Sequence, residues 1–340
     1  MRDLLALELA ELEERILAWG YPRFRARQLF LWLHGKGVFQ LEEMQNLPND
    51  LKKRLAQNLP SFPVSLEKTI QADDGTQKFQ FRLHRGGLIE SVLIPEEKRL
   101  TLCLSTQLGC AMNCLFCRTG DMGWKRNLGV EEILGQYYAV RAMLSNKQVV
   151  THVVFMGMGE PLENLENTIR TLKIMTHPSG GALSPRRITI STVGIPMNLE
   201  ILFRESPVAI TFSLNAADNE TRNRLMPINR RYPIEEVLDT LKRLPLPPRK
   251  RFAIAYVLIQ GENDTLQDAR HLVRLLHGLR CKINLIPFNP YPGSTLKRPS
   301  DEAVLSFQNF LRSKAFSTHV RFSRGRDVLA ACGQLGGDLD

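Results

Sequence analysis

The sequence has no apolar run that approaches the roughly 20 residues a membrane-spanning helix requires. Its opening segment, MRDLLALELAELEERILAWG, also lacks the uninterrupted apolar stretch of a signal peptide, because glutamates interrupt the leucines and isoleucines. Cysteine is scarce, with 6 residues in 340, which argues against a disulfide-stapled scaffold. We therefore expect a cytoplasmic protein without membrane attachment, in which a tight group of cysteines serves a metal or catalysis.

Acidic residues are too few to balance the basic ones, since 35 Asp and Glu stand against 45 Lys and Arg, a formal net charge of +10. An excess of this size favours polyanionic partners, with nucleic acid as the first candidate. Residues 222–251 hold nine Lys or Arg against three Asp or Glu, and Arg321, Arg324 and Arg326 cluster near the end of the chain. These runs predict contacts to RNA phosphates, although such runs often form an ordinary solvated face.

No short-period repeat or low-complexity tract is visible, and the chain divides by pattern into four parts. Residues 1–65 have helical patterns, residues 66–95 are strand-like, residues 96–327 alternate the two, and residues 328–340 form a tail. The alternating part contains six β-rich runs, at 99–105, 151–156, 187–192, 208–214, 252–259 and 282–286. Strands that alternate with helices indicate parallel pairing. We expect an α/β fold, a partial TIM-like barrel of six βα units with an N-terminal helical accessory domain.

Three cysteines follow the first β-rich run, in the segment QLGCAMNCLFC. Cys110, Cys114 and Cys117 are spaced C-x3-C-x2-C, which suits a [4Fe–4S] cluster with one iron free of protein ligands. A structural zinc site or incidental core cysteines are the alternatives. Zinc knuckles usually close with four ligands from paired C-x2-C units, and the sequence offers neither a second pair nor a nearby histidine.

The cysteine spacing, Phe116 before the third cysteine and the barrel pattern that follows resemble the radical S-adenosylmethionine (SAM) superfamily. The resemblance implies that the open iron binds SAM and that one electron cleaves it to a 5′-deoxyadenosyl radical. Chemistry in such barrels gathers at the carboxyl ends of the strands. Several residues at these ends are candidates for one SAM pocket, although each alone is more often a turn or cap residue: Gly159, Glu160, Ser191, Ser213, Leu214, Asn215 and Asn289.

Further motifs resemble one family within that superfamily, the RlmN/Cfr family of RNA adenosine methyltransferases: IESVLIP, CLSTQLGCAMNCLFC, GMGEPLEN, NLIPFNPYPG, GRDVLAACGQL and the N-terminal RFRARQLFLWLHGKGV. The resemblance implies that Cys332 carries a methyl group from one SAM, which the radical from a second SAM activates for addition to an adenine carbon. It also implies that Cys103 releases the product by forming a disulfide with Cys332, and that Glu90 is the proton acceptor. Read without the resemblance, these are a tail cysteine, a buried strand cysteine and a strand carboxylate. The family commonly has histidine where Asn215 stands, and Cys281 matches no motif and is expected in the core.

The expected function is methylation of C2 of an adenine in 23S rRNA, and by family habit also in tRNA. Methylation of C8 is the alternative within the family, because it needs the same cysteines. A protein that uses an iron–sulfur cluster for redox or regulatory RNA binding is the alternative from another class. The expected partners are the RNA and an external electron donor such as flavodoxin, and the expected state is a monomer. The N-terminal helical domain is the candidate for recognition of folded RNA.

Overall fold

Helices make up the N-terminal part of the chain, as the sequence predicts. The computed structural model describes residues 3–58, 62–145 and 148–336. Three helices precede the first strand: α1 (Leu9–Ala18), α2 (Phe24–Phe30), which continues into a π-helical turn (Leu31–Lys36), and α3 (Asn49–Ala56). Within residues 40–58 only Asn49–Ala56 is α-helical. The extended Pro48 caps α3 and a 3-10 turn, Leu41–Glu43, stands before it.

Twelve strands follow in the described part of the chain. They are β1 (Val64–Gln71), β2 (Gln77–Leu83), β3 (Leu88–Glu96), β4 (Arg99–Cys103), β5 (Gln107–Gly109), β6 (Trp124–Asn127), β7 (His152–Phe155), β8 (Ile188–Thr192), β9 (Ala209–Ser213), β10 (Phe252–Leu258), β11 (Cys281–Pro287) and β12 (Thr318–Val320). Ten of them form one sheet in the order β1-β2-β3-β4-β7-β8-β9-β10-β11-β12, and β5 pairs only with β6. Neighbours from β4 to β12 run parallel, whereas β1 to β4 pair antiparallel.

Eight further helices connect or cover these strands. They are α4 (Arg118–Asp121), α5 (Val130–Met143), α6 (Leu165–Thr176), α7 (Pro196–Glu205), α8 (Asn219–Leu225), α9 (Ile234–Arg243), α10 (Leu266–Leu275) and α11 (Asp301–Ser313). Helix α9 shows why they pack as they do, because its buried positions Ile234, Val237, Leu238 and Leu241 recur at helical spacing and form one apolar face. Within the described ranges, none of the helices has the length and apolar character that crossing a membrane requires.

The six β-rich runs correspond to β4, β7, β8, β9, β10 and β11, each within two residues of the expected bounds. The expected α/β partial barrel is confirmed, and the structure adds β12 as a short seventh parallel strand. The strand-like segment before the barrel is not a separate layer. Strand β3 pairs with β4 from Val92–Cys103 to Glu96–Arg99, so the antiparallel meander extends the barrel sheet directly.

A small hairpin, β5–β6, was not expected from the sequence, and it frames the cysteine loop. Gly109 ends β5 with a left-handed φ of +73°, directly before Cys110. A Cβ at Gly109 would collide with the carbonyl oxygen of Gly123, whose chain segment leads into β6. The Cys110 amide donates to that same oxygen at 3.1 Å. Glycine is required here both by backbone conformation and by the close approach of the two chain segments.

We predict that Gly109→Ala destabilises the cluster-free protein by more than Gly261→Ala does. Both glycines have a positive φ, which costs alanine about 1–2 kcal/mol. Open space surrounds Gly261, so only Gly109→Ala adds a backbone collision. Urea unfolding of the two variants measures the difference, and equal losses of stability would show that the close approach at Gly109 is easily relieved.

Candidate active site

The three clustered cysteines lie on one loop between β5 and α4. The Cys117 amide donates to the carbonyl of Cys114 at 3.0 Å, which turns the loop back on itself. The Leu115 amide donates to the carbonyl of Leu225 at 3.0 Å, which ties the loop to the end of α8. Cys110 and Cys114 are buried and Cys117 is partly exposed. The loop therefore presents three thiols in a fixed backbone frame.

These thiols are better suited to bind a metal cluster than to remain as free thiols. Burial raises the pKa of Cys110 to about 12 and that of Cys114 well above its usual value, and the neighbouring thiol of Cys117 raises both further. A cationic cluster core relieves this penalty, because it stabilises thiolates and releases their protons. Among residues 3–58, 62–145 and 148–336, no three His, Cys, Asp or Glu side chains are grouped around a single ion position. A [4Fe–4S] cube is wider than one ion, so its ligands need not converge on one point.

Glu160, in the loop after β7, is buried and accepts three hydrogen bonds. Thr192 Oγ1 and the Leu162 amide donate to Oε1 at 2.6 and 3.0 Å, and the Val193 amide donates to Oε2 at 3.0 Å. Burial raises the pKa of Glu160 to about 7, and these hydrogen bonds oppose that rise. The carboxylate thus links the ends of β7 and β8 and keeps capacity for a further donor.

Gly159 precedes this carboxylate and has a φ of +96°. A Cβ at Gly159 would collide with the side chain of Gln107, so the close approach that requires glycine here is to Gln107. The side-chain oxygen of Gln107 accepts from the Glu160 amide at 2.8 Å. The contact holds the loop after β7 against the cysteine-bearing segment.

Polar residues also meet at the ends of β8 and β9. The hydroxyls of Ser191 and Ser213 lie 3.2 Å apart on these neighbouring strands. Leu214 is buried and its amide donates to the carbonyl of Ala255 at 3.0 Å. The structure therefore brings Ser191, Ser213 and Leu214 to one edge.

Asn215 follows with a φ of +57°, and its side chain points into the protein. Its Oδ1 accepts from the Val257 amide at 2.9 Å, and Nδ2 lies 3.3 Å from the sulfur of Met226. The backbone carbonyl of Asn215 accepts from Asn263 Nδ2 at 2.7 Å, so the carbonyl and the side chain are both engaged within the protein. Asn and His are both enriched in left-handed conformations, which explains how asparagine fits a position where histidine is usual.

Asn289, after β11, reaches the C-terminal tail. Its Nδ2 donates to the carbonyl of Cys332 at 3.1 Å and lies 2.9 Å from the Ser323 hydroxyl. Its Oδ1 is buried and has no hydrogen-bond partner within the described residues. A buried acceptor of this kind fits a ligand that donates a hydrogen bond.

The tail folds back over the cysteine loop. The Arg118 amide donates to the carbonyl of Gly333 at 2.8 Å, and Thr119 Oγ1 donates to the carbonyl of Leu335 at 2.6 Å. Cys332 is an exposed residue, but protein atoms surround its thiol, and this burial raises the pKa of the thiol; the thiol of Cys117 raises it further. Cys332 thus lies within electrostatic range of a cluster cysteine.

Cys103 is buried at the end of β4. Burial is the main reason why the pKa of Cys103 is raised, and the nearby thiol of Cys332 raises it further. The two lone cysteines therefore lie near enough to interact electrostatically. Cys281 is buried in β11, as expected for a core residue.

Glu90, on β3, forms a buried ion pair with Lys78, on β2, at 3.2 Å between Oε1 and Nζ. Both residues also hold the tail. The Gly336 amide donates to Glu90 Oε2 at 2.8 Å, and Lys78 Nζ donates to the carbonyl of Leu329 at 3.4 Å. Sequence reasoning missed Lys78, because a single lysine in a strand carries no signal without its partner. The structure places Glu90 inside the site, facing the tail.

One expectation about charge is wrong. Arg222 was counted in the basic run expected to face RNA phosphates, but its side chain is fully buried. The sequence could not separate it from its neighbours Arg230 and Arg231, which are exposed.

Comparison with known proteins decides the family. A model of the Radical SAM superfamily matches residues 104–276, and a model of the ribosomal RNA large subunit methyltransferase N-terminal domain matches residues 2–59. The dual-specificity RNA methyltransferase RlmN of Syntrophobacter fumaroxidans is 48% identical over 327 residues, which cover 96% of each chain. The chain belongs to the RlmN family. RlmN of Geobacter sulfurreducens is also 48% identical, over all of this chain and 93% of its own length.

A crystal structure that resembles this RlmN family member supports the same conclusion. A radical SAM methyltransferase from Sphaerobacter thermophilus superposes with a TM-score of 0.94 at 43% identity, covering 98% of this chain and 99% of that one. Membership of the radical SAM superfamily makes a [4Fe–4S] cluster and SAM the cofactors of this chain. The predictions of family, fold and cofactors are confirmed.

We predict that Glu160→Gln flattens the pH dependence of stability between about pH 4.5 and 7. The folded protein keeps a proton on Glu160 up to about pH 7, whereas the unfolded chain releases it near pH 4.5. The native state binds more protons in that window, so the stability of the natural protein falls as pH rises through it, by on the order of 3 kcal/mol. Thermal unfolding of the cluster-free proteins across this range measures the effect. Glu163→Gln, which removes an exposed carboxylate of the same loop, is the charge control, and identical profiles for the natural protein and Glu160→Gln would refute the assignment.

Proposed function

We propose that this chain methylates C2 of an adenine in 23S rRNA, and of an adenine in tRNA, through a methyl group carried on Cys332. The observation that carries the proposal is the docking of the tail. The backbone amide of Arg118, the hydroxyl of Thr119 and the side-chain amide of Asn289 donate to carbonyls of the tail and hold the Cys332 segment against the cysteine loop. A protein that only binds RNA needs no methyl carrier, and so no thiol beside the loop that would hold the cluster.

The cofactors divide the work with the protein. Cys110, Cys114 and Cys117 would hold the cluster, and the edge formed by Glu160, Ser191, Ser213, Leu214, Asn215 and Asn289, with Gly159 shaping the turn, would hold SAM. When bound, the two cofactors supply the one-electron chemistry that converts a methyl group into a reactive carbon. An aromatic adenine carbon is neither acidic nor a good nucleophile, so polar methyl transfer fails there and such chemistry is needed.

The chain's own residues complete the reaction. Cys332 carries the methyl group and becomes joined through it to the adenine. Glu90 accepts the proton that leaves the methylated carbon, and its position beside the tail suits that role. Cys103 then loses its thiol proton and forms a disulfide with the sulfur of Cys332. The bond from that sulfur to the methylene carbon breaks, and the carbon keeps the electron pair and takes up a proton to become the methyl group of the product. An external reductant restores both thiols.

Four finer points belong to the same proposal. The electron donor is an external carrier such as flavodoxin, the enzyme acts as a monomer, and it works in the cytoplasm. The target is C2 rather than C8, in keeping with the RlmN name of the relatives. The decisive test is nucleoside mass analysis of 23S rRNA and tRNA after incubation with reconstituted protein, SAM and a reductant. The proposal requires 2-methyladenosine, and 8-methyladenosine or no product would overturn it.

We predict opposite outcomes for the two lone cysteines. Cys332→Ala removes the methyl carrier, so no RNA adduct forms. Cys103→Ala keeps the carrier but removes the resolving thiol, so protein accumulates covalently joined to RNA, because a thioether to carbon does not break by itself. Denaturing gels of each variant, with nuclease digestion and mass analysis, read out the adduct. Cys281→Ala is the matched control, and free protein with normal turnover in Cys103→Ala would remove Cys103 from the mechanism.

RNA binding is proposed to use the exposed basic residues at the mouth of the barrel. Arg230 and Arg231 lie in the connection after β9, on the side where the strands end, and both are exposed. Near the tail, Arg298 lies 5.9 Å from the ring of Phe322, which is 57% exposed. Cations beside an exposed ring suit phosphates and an unstacked base.

We predict that Arg230→Ala combined with Arg231→Ala makes the negative slope of log K against log salt shallower by about 1 to 2. Each phosphate contact that is lost reduces the number of counterions released on binding. The measurement is RNA affinity over a range of salt concentrations. Arg270→Ala with Arg274→Ala removes the same charge from α10, on the outer ring of helices, and should leave the slope nearly unchanged. An equal slope for both double variants would show that binding senses only net charge.

A further inference from the structure

Arg222, in α8, is the largest fully buried side chain of the described residues. Its guanidinium donates to the carbonyls of Leu214 at 3.0 Å, Val193 at 2.9 Å and Ser213 at 3.2 Å, and to Asn229 Oδ1 at 2.8 Å. A longer contact of 3.5 Å reaches the carbonyl of Tyr232. All five acceptors are neutral.

A buried cation of this kind needs a counter-charge. Arginine is almost never fully buried unless it is paired, because removing an ion from water is costly and hydrogen bonds to neutral groups return only part of that cost. Among the described residues, no carboxylate lies within ion-pair distance of Arg222. Burial lowers the pKa of Arg222 to about 10, so the side chain is still charged at neutral pH. The guanidinium also lies 5.2 Å from the ring of Phe212, a contact that favours a cation but supplies no net negative charge.

The surroundings of Arg222 indicate a source of negative charge. Helix α8 ends at Leu225, whose carbonyl accepts from the amide of Leu115, the neighbour of Cys114. The amide of Met226, the residue after Leu225, donates to the carbonyl of Arg222 at 2.7 Å, so Arg222 lies one helical turn from this contact with the cysteine loop. Arg222 therefore lies behind the cysteine loop, within electrostatic range of one of the expected cluster ligands.

A [4Fe–4S] cluster held by three thiolates is anionic, because the thiolate charges exceed the charge of the oxidised core. Reduction adds one more negative charge, so a nearby fixed cation stabilises the reduced form more than the oxidised form. A carbonyl cage suits this task. It holds the guanidinium in place without neutralising it.

We propose that Arg222 is the resident counter-ion of the [4Fe–4S] cluster and raises its midpoint potential, easing the reduction that precedes SAM cleavage. It acts as a positioning residue through its charge, since it touches neither RNA nor the reacting atoms. The inference rests on the assignment of the cluster to Cys110, Cys114 and Cys117 made above. It also accounts for a buried arginine without a carboxylate, which the fold alone does not require.

The test is a redox titration of reconstituted protein, followed by electron paramagnetic resonance, without SAM or RNA. Arg222→Gln should lower the ratio of reduced to oxidised cluster at a fixed potential by roughly tenfold, about 59 mV for a one-electron couple. Arg222→Lys keeps the charge and should recover most of the potential. Arg224→Ala is the matched control, because it removes an exposed arginine of the same helix that pairs with Glu262.

Arg222→Gln can fail to fold, so a second variant supplies the charge change without removing the arginine. Asn229→Asp places a carboxylate against Nη1, where the Asn229 oxygen lies at 2.8 Å. It also removes the amide that donates to Asn219 Oδ1 and Asn223 Oδ1, so Asn229→Leu, which loses the same hydrogen bonds without adding charge, is its control. Asn229→Asp should lower the potential in the same direction, since Arg222 is then neutralised locally. A merely structural Arg222 predicts an unchanged potential in Asn229→Asp with full iron loading, and that result would overturn the inference. Natural protein that binds no iron would instead refute the cluster assignment itself.

Discussion

One backbone hydrogen bond organises the site, the 2.8 Å contact between the Arg118 amide and the carbonyl of Gly333. It joins the first turn after the third cluster cysteine to the segment that carries Cys332. Because both partners are backbone groups, the contact depends on chain path rather than on side-chain identity. Gly333 adopts a φ of +83°, and a Cβ there would crowd the carbonyl of Phe116, so the path itself depends on glycine. The position of Cys332 relative to the loop follows from this attachment, whereas Cys103 is held by the pairing of β4 with β3 and β7.

Two buried carboxylates in the site are treated differently by their surroundings. Glu160 has hydroxyl and amide donors but no cation bound to it in the described structure, and its pKa rises to about 7. Glu90 has the ammonium group of Lys78 at 3.2 Å and also accepts from the Gly336 amide of the tail. Glu160 therefore keeps an oxygen for a cationic ligand, whereas Glu90 is already paired with an ammonium group and with an amide of the tail.

The parts of the fold that depend on the local pattern of apolar and polar residues could be predicted from the sequence. Six strands and the cysteine loop could be predicted because alternation of strands and helices and the spacing of Cys110, Cys114 and Cys117 are visible along the chain. The β5–β6 hairpin was missed because its strands have only three and four residues. Lys78 and Arg222 were missed because burial and partnership are properties of tertiary structure. A lysine in a strand and an arginine in a basic run look the same in sequence, whether they face water or a buried anion.

The continuous ten-stranded sheet limits how far the molecule can be divided. The superfamily match begins at residue 104, one position beyond Cys103, and well beyond Glu90 and Lys78. Those three residues lie on β4, β3 and β2, strands that share hydrogen bonds with the barrel edge. A barrel excised at residue 104 would therefore keep the cysteine loop but expose an unpaired sheet edge, and it would lose Glu90 and Cys103, the residues proposed as proton acceptor and resolving thiol. A fragment meant to retain the proposed chemistry has to include the antiparallel meander as well as the barrel.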